Sequence, residues 1–213
     1  MATRDYGQFD GVTRGLELVG ERWALLIVRD LLVGPRRYGE LAAGLPRIPS
    51  NILAARLKEL QAAGVIRRAP RSRIIIYELT PYGRELEPIV LALSAWGFKT
   101  LGEPRDEQVL TPDAMAITLR SAFRPEAAAG LPETAYAARL GATQLLVHVA
   151  GAHLEVARGD GPADLAFAAG PGIQRLISGE LAPDRAIETG AVEVLSGRRD
   201  LLRRFATTFH LAA

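Results

Sequence analysis

The chain has no cysteine, and its 213 residues include only three histidines, two methionines and two lysines. Without cysteine, disulfides, thiolate metal sites, a cysteine nucleophile and direct thiol redox sensing are all excluded. Long apolar runs are missing too. The most hydrophobic early stretch, Trp23 to Val33, is short and interrupted by Arg29 and Asp30, so nothing reads as a membrane span. The N-terminal residues, charged at Asp5 and Asp10, do not resemble a signal peptide, which makes the cytoplasm the expected compartment. The histidines make a poor metal set: His148 and His153 flank a turn signal without helical spacing, and His210 lies near the C-terminus. No serine sits in a nucleophile-elbow phrase, and no phosphate-cradling glycine loop or clear acidic pair appears. The expectation is a non-enzyme that uses no cofactor and no metal.

What the chain does have is arginine, unevenly placed. Of 26 basic residues all but Lys58 and Lys99 are arginine, which with abundant alanine and glycine suggests a GC-rich genome. Between Arg36 and Arg73 there are nine basic side chains against two acidic ones. That segment nets +7 in a protein that nets +2, leaving −5 for the remainder. A concentration of this kind argues for one anion-binding face, and arginine suits phosphate. The chain also divides. Through Gln108 it carries 16 basic and 13 acidic residues, and beyond it 10 and 11. The segment Gly102 to Gln108 is polar, contains Pro104 and lacks periodicity, as linkers do. Two domains are expected, over residues 1–104 and 109–213.

The first of them reads as four helices, a hairpin and a helix. Leu16, Leu18 and Val19 anchor a short helix stopped by Gly20. Trp23, Leu26, Ile27 and Leu31 follow at helical spacing until Gly34-Pro35. Tyr38 to Ala43 predicts a third helix. Pro49-Ser50 opens a fourth, with Ser50 as its N-cap and Leu53, Leu57 and Leu60 as its buried stripe. After Gly64 the period falls to two, which predicts a strand over Val65 to Ala69, a turn at Pro70 to Arg73 and a returning strand from Ile74 to Leu79. Thr80-Pro81 then caps a helix carrying Leu86, Ile89, Val90, Leu93 and Trp96. Its apolar surface exceeds what one small domain needs and points to a second subunit.

This is the order of a winged helix-turn-helix, and the phrases resemble the HxlR family of bacterial transcriptional regulators. They include Leu18-Val19-Gly20-Glu21-Arg22-Trp23, Gly34-Pro35-Arg36-Arg37-Tyr38, Leu53-Ala54-Ala55-Arg56-Leu57-Lys58-Glu59-Leu60 and Tyr77-Glu78-Leu79-Thr80-Pro81-Tyr82-Gly83. The resemblance covers about half the chain. It implies homodimers that pair through the N-terminal and final helices and bind double-stranded DNA at a pseudo-palindromic operator. Many family members carry a cysteine near the N-terminus, where this chain has Asp10-Gly11-Val12, so thiol sensing does not carry over.

The physical reading agrees. A helix entering the major groove meets base edges with its N-terminal outward residues, here Ser50, Asn51, Ala54 and Ala55, with Lys58 a turn later. Asn51 can make a bidentate adenine contact and the alanines can touch thymine methyls. Arg36, Arg37, Arg56, Arg71 and Arg73 are expected to hold phosphates. Arg56 lies close to the buried stripe and has the alternative of tying Glu59 or a neighbouring helix.

The second half predicts an α+β domain with helices on one face of a mostly antiparallel sheet. A helix over Pro112 to Phe123 is followed by strands at Glu133–Leu140, Gln144–Val149, His153–Ala157 and Asp164–Ala168. A helix at Ile173–Ile177, a short helix after Pro183, a strand at Val192–Leu195 and a closing helix from Arg198 complete it. The phrases Ile173 to Pro183 and Ala186 to Val194 resemble the sterol-carrier-protein-2 (SCP2-like) type of lipid-binding domain. That resemblance implies an apolar ligand between sheet and helices, lined by Phe123, Phe167, Ile173, Leu176, Ile177, Leu202, Phe205 and Phe209. Each of these has core packing as its alternative role. The expected whole is a cytoplasmic homodimeric regulator, a repressor, whose second domain senses a small apolar molecule. The alternatives are a purely structural or dimerising second domain, or a lipid-transfer or hydrolytic one that depends on His148 or His153.

Overall fold

A computed structural model describes residues 5–170 and 172–212; residues 1–4, Pro171 and Ala213 of the two expected domain ranges lie outside it. The chain forms two compact units, one running to Val90 and the other starting at Leu91. Each is described by itself.

The first unit begins with α1 (Gly11–Val19), whose start is set by Asp10. One Asp10 carboxylate oxygen accepts the N–H groups of Val12 and Thr13 at 2.8 and 3.0 Å, satisfying donors that a helix start leaves open. Hydrogen bonds from Thr13, side chain first and backbone second, hold this carboxyl below its usual range. The next helix, α2 (Ala24–Val33), begins one residue later than the spacing suggests. Trp23 precedes it in the left-handed region at φ 81°, with Arg22 stacked 5.2 Å from its ring centre. The unit then adds α3 (Tyr38–Gly44) and α4 (Ser50–Ala62). Leu53, Leu57 and Leu60 of α4 are buried as expected, each burial contributing roughly 1.5–3 kcal/mol over exposure.

Four details correct the sequence reading. Ser50 is the first residue of α4 and not its N-cap: Pro49 holds that position in extended backbone, and no side chain caps the helix. The first wing strand, β1 (Ile66–Arg71), starts one residue later and ends two later than expected, while its antiparallel partner β2 (Ile74–Leu79) has the expected bounds. Pro70 and Arg71 therefore belong to a strand, and Ser72 and Arg73 alone make the turn, with Ser72 at φ 55°. Proline is tolerated there because a two-stranded ribbon leaves an outer edge that needs no N–H. Finally, the helix expected after Thr80-Pro81 is two, α5 (Pro81–Arg84) and α6 (Glu87–Phe98). Thr80 caps the former, its hydroxyl accepting the Gly83 N–H at 3.0 Å. Helix α6 runs across the division between the units.

The second unit carries a five-stranded sheet in the order β5-β4-β3-β6-β7. Its strands are β3 (Thr134–Leu140), β4 (Thr143–Ala150), β5 (His153–Arg158), β6 (Leu165–Ala169) and β7 (Val192–Gly197). All neighbours pair antiparallel except β3 and β6, which are parallel. Burial alternates strictly along β4 and β6, so one face is covered and the other open. Helices α7 (Pro112–Ala122), α8 (Pro125–Ala128), α9 (Gly172–Ser178), α10 (Pro183–Glu188) and α11 (Asp200–Thr208) complete the unit. Phe205 of α11 lies edge-on to both Tyr136 and Phe167, each 5.2 Å away between ring centres. Burial pushes the Tyr136 phenol up to about 12, so it stays neutral in this core. Buried Asp113 on α7 is held by a forked pair of hydrogen bonds from Arg158 at the end of β5. The closing segment is stitched in by His210 N–H to the Ala122 carbonyl and Leu211 N–H to the Ile177 carbonyl, at 2.8 and 3.1 Å.

Gly83 marks the tightest packing of the first unit, since a Cβ there would overlap the Val65 carbonyl. Gly83→Ala is expected to lower stability by roughly 1–3 kcal/mol, read as an earlier urea midpoint at unchanged slope.

Candidate nucleic-acid interface

The buried leucine stripe determines what α4 offers to solvent. Ser50, Asn51, Ala54 and Lys58 are exposed on the opposite side, while Ala55 is only half-exposed. The start of this helix is fixed by a contact the sequence did not signal. Tyr38, the first residue of α3, donates its hydroxyl to the Ser50 carbonyl at 2.9 Å. A tyrosine at a helix start gives no hint that its hydroxyl bonds a residue 12 positions on.

The arginines separate into two groups. Arg37, Arg71 and Arg73 are exposed, the last two at the wing tip. Arg36 is half-buried, its backbone bridged to Tyr77 in both directions at 3.0 and 2.7 Å, so it ties the segment before α3 to the wing. Arg67 on β1 pairs across the ribbon with Glu78 at 2.7 Å, and Arg68 stacks over Tyr77. Arg47, exposed just before α4, adds a cation that the sequence reading counted but did not assign.

Arg56 departs from expectation. Its side chain is 13% exposed and turned inward, pairing with Glu21 at 2.9 Å and with Glu59 one turn along α4. It ties α4 to the turn after α1, the alternative that its place beside the leucine stripe offered. Glu59 meets its Nη1 and Glu21 its Nη2, while its Nε is buried and has no hydrogen-bond partner among the described residues. The signal was legible in part, since Arg56 abuts the leucine stripe and precedes Glu59 by three residues.

The eight apolar residues expected to line a lipid space are all withdrawn from solvent, wholly or in part. Phe167, Ile173, Leu176, Ile177, Leu202, Phe205 and Phe209 are fully buried and Phe123 is half-buried. They meet as packing: Phe205 and Phe209 lie 4.6 Å apart between ring centres, and Phe123 and Phe209 lie 5.9 Å apart. The aromatic members meet ring to ring beneath the sheet, and the aliphatic ones are buried. Of the histidines, His148 pairs with Glu133 at 2.7 Å. Among the described residues no group of three or more histidine, aspartate and glutamate side chains could hold a metal ion, and no helix is long and apolar enough to cross a membrane.

Helix, turn, outward-facing helix and arginine-tipped ribbon define the winged helix-turn-helix class. Residues 18–105 match the HxlR-like helix-turn-helix family. An HTH-type transcriptional regulator of Mycobacterium bovis, Mb3122, is 40% identical over 126 residues, spanning 56% of this chain and 74% of that protein. The Bacillus subtilis regulator YvaP is 38% identical over 86 residues, 39% of this chain and 80% of its own. Among solved structures, the oxidized form of the redox regulator HypR is 32% identical, covering 40% of this chain and 92% of that one, with a TM-score of 0.39. The chain belongs to the HxlR-like helix-turn-helix family.

Replacing Arg56 with alanine removes the guanidinium that Glu21 and Glu59 share. We expect a loss of roughly 1–3 kcal/mol in unfolding free energy. Arg71→Ala, at an exposed tip, should change the urea midpoint hardly at all.

Proposed function

We propose that this protein is a DNA-binding transcriptional regulator that acts as a homodimer on a pseudo-palindromic operator and represses transcription. The observation that carries the reading is the outward face of α4, Ser50, Asn51, Ala54 and Lys58, set beside a wing whose tip holds Arg71 and Arg73. A helix presented this way fits the major groove, and tip arginines suit phosphates or a narrow minor groove. Asn51 is the residue able to read a base by a bidentate contact, while Arg36, Arg37, Arg71 and Arg73 position the backbone. Repression follows most simply, because a wing domain covering promoter DNA needs no contact with polymerase.

With Arg56 turned inward, four phosphate-contacting arginines remain per subunit. A dimer should then show a log–log salt slope of roughly −7, where counting Arg56 would give roughly −9. Fluorescence anisotropy on an operator duplex measures it. Asn51→Ala should weaken specific binding by about 1–3 kcal/mol while sparing nonspecific binding. Affinity for duplex DNA independent of salt would overturn the assignment.

Dimerisation is supported by apolar side chains left exposed on the helices that the family pairs. Val12 and Leu16 of α1, and Ile89, Leu93 and Trp96 of α6, are between 47% and 76% exposed. Single modules meeting two half-sites must sit about 34–36 Å apart, which a dimer enforces. Trp96→Asp is expected to shift the protein from dimer to monomer in light scattering at micromolar concentration, and to weaken operator binding with it.

The second unit has two readings, one that binds an apolar effector and one that is structural or dimerising. An apolar effector between sheet and helices would have to displace close-packed rings of Phe123, Phe205 and Phe209. A structural or dimerising role needs no such opening, and the filled core favours it. Native mass spectrometry of protein from its host decides between them: an apolar molecule bound one per chain supports the effector, and a bare chain mass supports the structural role.

A further inference from the structure

The open face of the C-terminal sheet differs from the covered one. It carries Ala135, Ala137 and Arg139 on β3, Gln144 and Leu146 on β4, and Ala166 and Ala168 on β6. The connection from β5 to β6 crosses this face. To pass from β5 to β6, residues 159–164 must travel over β4 and β3. The crossing loop is pinned at both ends. Gly159 N–H donates to the Gln144 carbonyl and Asp164 N–H to the Ala135 carbonyl, both at 2.9 Å. The Asp164 carboxylate also accepts the Ala135 N–H at 2.8 Å. The loop rides low, since a Cβ on Gly161 would come within 3.2 Å of the Leu146 side chain.

Under this strap lies a cavity of about 320 Å³, bounded by Ala137, Ala166, Arg139, Gln144, Asp160 and Gly161. Its floor is low because Ala137 and Ala166 are register partners on adjacent central strands, where bulkier β-branched residues are usual. Its polar groups are uncommitted. Among the described residues, the side chains of Arg139, Gln144 and Asp160 make no hydrogen bond or ion pair with the protein. Arg139 and Gln144 are cross-strand partners, so a guanidinium fork and an amide stand side by side. Asp160, on the strap, adds a carboxylate.

Each group has a complementary chemistry. The guanidinium fork matches a carboxylate with two parallel hydrogen bonds, the amide can donate or accept, and the aspartate accepts from an ammonium. A volume at the small end of ligand sites, with methyls for a floor and opposite charges around it, suits an amino-acid-sized molecule and not a lipid. We propose that this strap-covered cavity binds a small zwitterionic metabolite, its carboxylate on Arg139 and Gln144 and its ammonium on Asp160. The site lies on the face of the sheet opposite the aromatic core. It does not rest on the DNA-binding reading.

Isothermal titration calorimetry of the full-length protein tests it, with L-serine, β-alanine and 4-aminobutyrate as probes and butyrate and butylamine as single-charge controls. At least one zwitterion is expected to bind about tenfold or more tighter than either control. Arg139→Ala should weaken it by about tenfold or more, and Asp160→Asn should reduce it to the level of butyrate. Both residues are exposed, so melting temperatures should hold. Ala166→Phe, or Ala137→Leu should that variant not fold, fills the floor and should abolish binding with the charges intact. The proposal is overturned if none of the three zwitterions binds, if a control binds as tightly, or if Arg139→Ala and the floor variant leave affinity unchanged.

Discussion

The orientation of α4 is the constraint on which the rest of the N-terminal unit depends, and two interactions set it. Leu53, Leu57 and Leu60 bury one side of the helix, which fixes its rotation about its own axis. Arg56 then fixes its position along that axis by holding Glu21 outside the helix and Glu59 within it. Apolar burial is non-directional and tolerates sliding, whereas a fork on two carboxylates does not. The side chains that remain outward owe their direction to this pairing of a soft restraint with a sharp one. Tyr38 adds a third hold at the helix start, where no side chain caps the first turn.

The basic segment is therefore not one patch. Arg56 serves the fold and Arg67 is paired across the wing ribbon, while it is the backbone of Arg36 that is bonded to the wing. Arg37, Arg71 and Arg73 reach solvent with Lys58 and Arg47. A net charge of +7 over this stretch thus overstates what an anion would meet, because part of the cationic charge is already answered by protein carboxylates. The second unit distributes its charge differently. Arg158 is drawn to buried Asp113 and Arg203 to Asp184 on α10, while among the described residues Arg139 on the open sheet face has no side-chain partner.

The short α8 gave no signal and α5 and α6 read as one helix, whereas strand order and the longer helices were readable from periodicity, because buried faces impose periods of 3.6 and 2. The single parallel pairing of β3 with β6 was not, since a meander and a crossover present the same alternation along each strand. Boundaries slipped where one residue did an unusual job: Trp23 in left-handed backbone, Pro49 at a helix start, Pro70 inside a ribbon edge. In the site, the outward residues of α4 followed from the leucine stripe, and only the depth of Ala55 differed. For Arg56 the sequence left two roles open, because charge alone does not say which way a side chain turns and Glu21 lies 35 positions away in the chain. The aromatic cluster shows the complementary limit: hydrophobic spacing located Phe167, Phe205 and Phe209 together but could not tell a wall from a filling.

Chemical-shift mapping addresses the central claim most directly. Titrating an operator duplex into isotopically labelled protein should perturb the backbone amides of residues 50–58 and the Arg71 and Arg73 side chains, with the Arg56 guanidinium signal retained in its ion-paired position. Perturbations confined to residues 134–170, or an Arg56 signal that moves with the phosphate contacts, would contradict the account.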